Sequence, residues 1–202
     1  MHRLIPPSVS GLMKNPMQVQ RIAIGLVLAA ILTVALVLRA WGAAFGLPHE
    51  YHPDEVQYVR QAASMGAEGL EPVWWNNPPF YKYIYLAEYA ALYAFGRSAV
   101  HLYTSTADFG AQHVVDPTRL YLIGRYTTAL FGTLTVLVTY WLGTKAFNRR
   151  VGLLSAWFLA TCFIHVRDSH YAVNDVPAAF FVTLALFAAI RLLQTGSTAW
   201  SI

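Results

Sequence analysis

The stretch IAIGLVLAAILTVALVL, Ile22–Leu38, carries no charged side chain, and apolar residues resume after Arg39 through AWGAAFG. A run of about 20 such residues is long enough to cross the hydrocarbon core of a bilayer as a helix. The whole chain has the same character, since 56% of its 202 residues are hydrophobic and only 12% are charged. A soluble domain of this size is rarely so apolar. The sequence therefore predicts a membrane protein.

Three further segments are apolar enough to be membrane helices. Residues 126–144 are uncharged, and so are two shorter runs, residues 151–166 and 176–190. The flanking Arg167 and Arg191 lengthen these shorter runs if their aliphatic stems reach towards the interface. We predict an all-α, polytopic membrane protein of about four transmembrane helices, with interfacial helices in a long first outer loop. The predicted spans are 21–46, 119–144, 151–166 and 176–193.

The charged residues predict how these spans are oriented. With four spans, the loops 47–118 and 167–175 lie on one side and hold all ten acidic residues. The lead 1–20, the turn 145–150 and the end 194–202 lie on the other side. We expect that second side to be cytoplasmic at a plasma (inner) membrane, with an uncleaved first span. The positive-inside rule supports this orientation, because seven basic residues lie in these segments or at the span ends that adjoin them: Arg3, Lys14, Arg21, Lys145, Arg149, Arg150 and Arg191.

A short apolar segment in the first outer loop carries a regular row of tyrosines. Residues 83–96 contain Glu88, and four tyrosines recur at every fourth position: Tyr81, Tyr85, Tyr89 and Tyr93. Spacing of this kind places the rings on one face of a helix. Tyrosines are typical of the head-group region of a membrane. We predict a helix that lies in the interface, with its tyrosines among the head groups.

Two acidic motifs begin at the outer ends of spans. The first is YHPDE, Tyr51–Glu55, and the second is the segment HVRDSHYAVNDVPAAFF, in which Asp175 precedes Pro177. Proline and acidic residues in a first helical turn are typical of an ordinary helix start. Carboxylates close to a membrane usually serve a site, so two at one face also favour a shared functional site. His49 and His52 are candidate metal ligands, or simply interfacial histidines.

Basic and aromatic residues accompany these carboxylates. The segment WWNNPPFYK ends at Lys82, and Arg119 and Arg125 enter the second span from the outer side. Such cations either snorkel to the interface or hold a lipid-linked phosphate through charge-assisted hydrogen bonds. The aromatic residues either form a membrane belt or pack on a sugar or lipid tail: Trp74, Trp75, Tyr81 and Tyr85.

The order of these motifs resembles the GT-C membrane glycosyltransferases, most closely the protein O-mannosyltransferase and aminoarabinose transferase group. The likeness covers about residues 40–191 and consists of HPDE, PPFYKY, FGR, an Arg-Leu at the second span, a basic turn and YAVND followed by proline. It implies transfer of a sugar from a polyprenyl-phosphate-linked donor to an acceptor hydroxyl or phosphate on a protein, lipid or glycan. Because such enzymes have many more spans, we expect this chain to be an amino-terminal part.

The resemblance also implies roles for particular residues. Asp54 is the expected general base, Glu55 assists it, and Asp175 completes the site or shares a divalent cation with Asp54. Oxygen ligands suit Mg²⁺ or Mn²⁺, and the lone Cys162 excludes a multi-thiolate site. Besides the donor and acceptor, the expected partners are membrane lipids, with no nucleic acid. The predicted substrate-binding residues are His52, Tyr81, Lys82, Arg119, Arg125 and His170.

Two other functions remain open. A transporter or flippase-like protein would use its carboxylates for protons or a cationic substrate, but such proteins place ionisable groups near the bilayer midplane. The acidic residues here lie at span ends instead. A noncatalytic membrane subunit is the second alternative, and replacing Asp54 in such a subunit would leave the activity of its complex intact.

Overall fold

The computed structural model describes residues 16–49, 51–72, 74–75 and 77–200. Most of the predicted lead therefore lies outside the described residues. Within them the chain forms helices and no strand. In chain order the helices are α1 (Pro16–Ala40), α2 (Pro53–Glu68), α3 (Phe80–Ser98), α4 (Thr106–Val115), α5 (Thr118–Ala146), α6 (Arg149–Thr161), α7 (Phe163–Asp168) and α8 (Asp175–Thr195), followed by a 3₁₀ turn at Thr198–Trp200.

Among the described residues, three helices are long and apolar enough to cross a membrane: Met17–Ala40, Thr118–Ala146 and Asp175–Thr195. This finding confirms the predicted all-α, polytopic membrane architecture. The first helix stops at Ala40, earlier than the predicted span 21–46, because the chain then turns. Gly42 and Gly46 adopt φ values of 80° and 81° in these turns, a left-handed conformation that glycine adopts at little cost.

The predicted third span, residues 151–166, is a broken helix. Helix α6 ends at Thr161, Cys162 is extended (φ −64°, ψ 113°), and α7 begins at Phe163. Carbonyl groups at the end of α6 lose their helical partners at this break. The buried guanidinium of Arg39 donates to the carbonyls of Leu159 and Ala160, each at 3.1 Å, so a side chain from α1 stabilises the break.

Contacts at the two ends of the bundle define the directions of the helices. The Gln194 side chain donates to the carbonyl of Lys145 at 2.7 Å, and the Phe131 ring contacts Phe180 5.3 Å away between ring centres. Helices α5 and α8 are therefore parallel, and α6 with α7 returns the chain between them. Lys145 thus lies at one end, while both acidic motifs lie at the other. Only α1, α5 and α8 qualify as membrane-spanning helices among the described residues, so the count of four spans stays a prediction.

The tyrosine row of α3 does not lie at a head-group surface. Tyr81, Tyr85 and Tyr89 are buried, and successive ring centres are 4.5 and 6.0 Å apart. Their hydroxyl groups bond to α5: Tyr81 pairs with the Thr128 hydroxyl, and Tyr85 and Tyr89 donate to backbone carbonyls. The predicted placement is wrong for these three residues, because the repeat marks the face of α3 that packs into the protein.

Candidate active site

The first acidic motif forms the start of α2. His52 is the extended N-cap residue (φ −104°, ψ 113°), Pro53 opens the helix, and Asp54 and Glu55 follow in the first turn. The local geometry is the helix start that the sequence predicts. The two carboxylates nevertheless differ in environment, since Asp54 is exposed and Glu55 is fully buried.

Glu55 joins three parts of the chain. Arg125 of α5 donates to it in a bidentate pair, from Nε to Oε1 at 2.7 Å and from Nη2 to Oε2 at 2.8 Å. The backbone N–H of Ala172 also donates to Oε1, at 2.8 Å. Both oxygens of Glu55 are therefore used in the protein interior. This geometry favours a positioning role for Glu55 over the predicted catalytic assistance.

The second acidic motif is placed by the same contacts. Ala172 lies three residues before Asp175, which is the exposed first residue of α8. The Tyr171 ring lies 4.6 Å from the ring of His52, measured between centres. Close approach to α5 is possible because Gly124 has no side chain: a Cβ there would lie 2.8 Å from that of Ala172. The segment before Asp175 is thus packed directly against the start of α2.

Tyr58 of α2 lies within the electrostatic reach of both exposed aspartates. Its ring is buried, and its hydroxyl has no hydrogen-bond partner. Burial and then the charges of Asp175 and Asp54 raise the pKa of Tyr58 to about 12, so both carboxylates act on this hydroxyl. The sequence analysis missed Tyr58, although its position four residues after Asp54 puts both on one face of α2. A protonated tyrosine here can donate a hydrogen bond to a carboxylate or a substrate.

Lys82 supplies a cation beside this group. Its ammonium lies 6.0 Å from the centre of the Tyr58 ring and donates to the carbonyl of Trp74 at 2.7 Å. The side chain is fully buried, and burial lowers the pKa of the ammonium. The structure therefore brings Lys82 to the cluster that contains Asp54 and Asp175.

Two other predicted residues line a neighbouring cavity of about 290 Å³. Arg125 forms part of its wall, and its guanidinium donates to Glu55 and to the carbonyls of Ala43 and Phe45. His170 also lines this cavity, and its ring nitrogens contact the carbonyls of Val166 and Trp41 at 2.8 Å each. Because Arg125 is already paired in this way, the geometry favours a structural role for it over direct capture of phosphate.

The polar groups of Arg119 and Tyr81, two further predicted residues, bond to residues other than the aspartates. Arg119 is exposed and reaches the Tyr103 hydroxyl at 3.5 Å. Tyr81 packs against Tyr58 at 6.1 Å between ring centres, but its own hydroxyl is taken by Thr128 at 2.5 Å. Neither residue presents a polar group to Asp54 in this arrangement.

The described part of the chain contains no group of three or more His, Cys, Asp or Glu side chains that would hold a metal ion. Asp54 and Asp175 are both exposed carboxylates, and carboxylate oxygens are the donor type that Mg²⁺ and Mn²⁺ prefer. Such a pair fits Mg²⁺ or Mn²⁺ when water and substrate phosphate supply the other ligands, as is usual for Mg²⁺. His52 packs its ring against Tyr171, and His49 is exposed.

Comparison with known proteins supports one family. The model of the family described as dolichyl-phosphate-mannose-protein mannosyltransferase matches residues 26–202. An uncharacterized protein of Aquifex aeolicus (strain VF5) is 36% identical over 64 residues, which are 31% of this chain and 13% of that protein. The chain therefore spans a small part of the length of that curated relative. No solved structure matches. Since the family model covers most of the chain, the protein belongs to the dolichyl-phosphate-mannose-protein mannosyltransferase family.

Proposed function

We propose that this protein takes part in glycosyl transfer, moving a sugar from a polyprenyl-phosphate-linked donor to an acceptor on the outer face of a plasma membrane. One observation carries the proposal: a single buried carboxylate, Glu55, ties the segment before Asp175 to the helix turn that presents Asp54. The charges of these two exposed aspartates both raise the pKa of Tyr58, which supports a shared site. Family membership favours mannose as the sugar.

Asp54 is the proposed general base. An acceptor hydroxyl is a weak nucleophile until a base takes its proton in the transition state. The exposed carboxylate of Asp54 suits this task, because it is fixed at a helix start and remains open to a substrate. As the acceptor oxygen forms its bond to the sugar, the bond from the sugar to phosphate breaks, and the electron pair leaves with the phosphate.

The departing phosphate gains negative charge, which a nearby cation stabilises. Lys82 is the proposed cation, since its ammonium lies beside Tyr58 within the same cluster. A divalent ion held by Asp54 and Asp175 would add positive charge at the same point. Tyr58, which remains protonated, is positioned to donate to Asp175 or to a substrate oxygen and so to keep the group aligned.

The test is a transfer assay with a polyprenyl-phosphate-linked mannose, run beside a measurement of donor binding. Asp54→Asn preserves size but removes the base, so transfer should fall by roughly 10²- to 10⁴-fold. Donor binding measured without a divalent ion should change little, because Asp54 then acts only on the acceptor. Lys82→Met should instead weaken donor binding, because it removes the cation proposed to contact the donor phosphate.

Asp116→Asn is the matched control. Asp116 is another exposed aspartate of the first outer loop, and it accepts a hydrogen bond from the Thr118 N–H at the start of α5. Transfer by this variant should equal that of the unmodified protein. If Asp54→Asn also transferred at the unmodified rate, the motif would be an ordinary helix start, and the protein would be a noncatalytic subunit.

A further inference from the structure

A second, larger cavity of about 620 Å³ lies between α2, α3, α4 and the start of α5. Pockets that bind small molecules usually have volumes of 300–1,000 Å³ and mostly apolar walls. The walls here include Leu86, Tyr93, Phe109 and Leu120. Small residues such as Gly110 leave the space open, since a Cβ at that position would meet no atom within 4 Å. The cavity has the size and lining of a ligand site.

Helix α2 separates this cavity from the candidate active site. Residues Val59, Ala63 and Gly66 border the cavity, and their helical spacing places them on one face of α2. Asp54 and Tyr58 fall on a different face. The packed rings of the α3 tyrosines also fill the space between α3 and α5. A ligand in the cavity would therefore not contact Asp54.

The cavity opens towards an apolar surface. Val114 belongs to its wall and is nevertheless 85% exposed, which places the mouth at α4. The neighbouring Val115 is 86% exposed, and Phe95 at the end of α3 is 63% exposed. Helices that lie in a membrane interface turn apolar residues of this kind towards the acyl chains. The mouth is thus placed where a bilayer lipid can enter.

One cation lies at the edge of this apolar space. Arg60 of α2 is exposed and is among the residues that line the cavity. A guanidinium matches the geometry of a phosphate group, and basic residues near a membrane surface attract anionic lipids. Hydrocarbon walls with a cation at the rim are complementary to a molecule that has an apolar chain and an anionic head.

We propose that the cavity between α2, α3 and α4 binds one acyl chain of an anionic bilayer phospholipid, with the phosphate beside Arg60. The bound lipid is distinct from the sugar donor, because α2 separates the cavity from Asp54 and Lys82 lies outside its lining. It would anchor the outer helices to the membrane surface next to the reacting groups.

The experiment uses phosphatidylglycerol that carries a photoactivatable diazirine near the end of one acyl chain. The protein is reconstituted in phosphatidylcholine vesicles with a small fraction of this probe, irradiated and digested, and the labelled peptides are located by mass spectrometry. Label is expected in the peptides of α3 and α4 that contain Tyr93 and Phe109.

Gly110→Leu places a side chain in the cavity, and it also improves helix propensity in α4. Labelling should fall about tenfold, because displacing even two methylene groups from an apolar site has an effect of that size on affinity. Ala90→Leu narrows the cavity from α3 and should give the same loss. Gly25→Leu in α1 is the matched control, since its Cβ would also meet no atom within 4 Å.

Two results would overturn the proposal. One is undiminished labelling of α3 and α4 in both narrowed variants. The other is displacement of the probe by polyprenyl phosphate, which would assign the cavity to the donor chain. A phosphatidylcholine probe should label the cavity less than the phosphatidylglycerol probe. Equal labelling by the two would contradict the proposed contact between Arg60 and an anionic head group.

Discussion

At the scale of single residues, the arrangement of the candidate site depends on a buried ion pair. Arg125 is 2% exposed and Glu55 is 0% exposed, so neither charge is hydrated. Removing one partner of such a pair typically destabilises a protein by about 3–5 kcal/mol, because the other charge remains buried and unpaired. Glu55 also receives the Ala172 N–H, so its loss would release the segment that leads to Asp175.

We therefore expect Glu55→Gln to lower the free energy of unfolding by about 3 kcal/mol and to reduce transfer. Thermal unfolding in detergent measures the first effect. Glu71→Gln is the matched control, because Glu71 is exposed and its replacement should leave the melting temperature unchanged. Equal melting temperatures for the two variants would show that the buried pair does not hold the site together.

The sequence predicted the helix start at Pro53 better than the environments of its two carboxylates. A proline followed by two carboxylates indicated the helix start at Pro53, and the helix is there. The burial of Glu55 beside the exposed Asp54 could not be predicted, because the partners of Glu55 lie 70 and 117 residues away. Only tertiary packing decides which of two adjacent carboxylates is buried.

At the scale of elements, the break between α6 and α7 is the feature that hydropathy could not predict. Residues 151–166 form an uncharged and mostly apolar run, yet the helix stops at Cys162. Its free carbonyls are taken by Arg39, a residue more than 100 positions earlier. The tyrosine row also depends on tertiary contacts. Its periodicity identified one face of α3 correctly, but only the neighbouring helices determine whether that face is buried.

The contact between α5 and α6 depends on paired glycines. A Cβ at Gly143 would lie 3.0 Å from the Cα of Gly152, and one at Gly152 would lie 2.6 Å from the carbonyl oxygen of Tyr140 and would also meet Thr144. The Cα of Gly152 and the carbonyl oxygen of Tyr140 are backbone atoms, which cannot rotate away. The two helices therefore approach as closely as small residues allow, as is typical of helix pairs in membranes.

We expect Gly152→Ala to destabilise the protein by about 1–3 kcal/mol, because the added methyl group overpacks this contact. Gly25→Ala makes the same chemical change on an open face of α1 and should be neutral or slightly stabilising. Thermal unfolding of both variants provides the comparison. A neutral Gly152→Ala variant would mean that α5 and α6 do not pack through these glycines.

At the scale of the whole molecule, α5 separates two chemically different ends. Its 29 residues span about 44 Å at 1.5 Å per residue, which exceeds the thickness of a hydrocarbon core. The acidic motifs lie near its amino-terminal end, where Arg125 donates to Glu55. The basic turn that contains Arg149 and Arg150 follows its other end. The positive-inside rule then predicts that the acidic end faces outwards.

Single cysteines test this orientation. In a Cys162→Ser background, the cysteine introduced by Asp116→Cys should react with an impermeant thiol reagent in intact cells, because it lies at the acidic end of α5. A cysteine at Arg149→Cys should react only after lysis. Reaction at position 149 in intact cells would reverse the orientation and place the proposed site in the cytoplasm.

The central claim is that Asp54 and Asp175 work as one catalytic site, and a double-mutant cycle on the transfer rate tests it most directly. Transfer is measured for Asp54→Asn, for Asp175→Asn and for the double variant. Residues that act as a unit have strongly non-additive effects. The account predicts that the double variant is no slower than about the slower single variant. Multiplied losses, or an unimpaired Asp54→Asn variant, would contradict it.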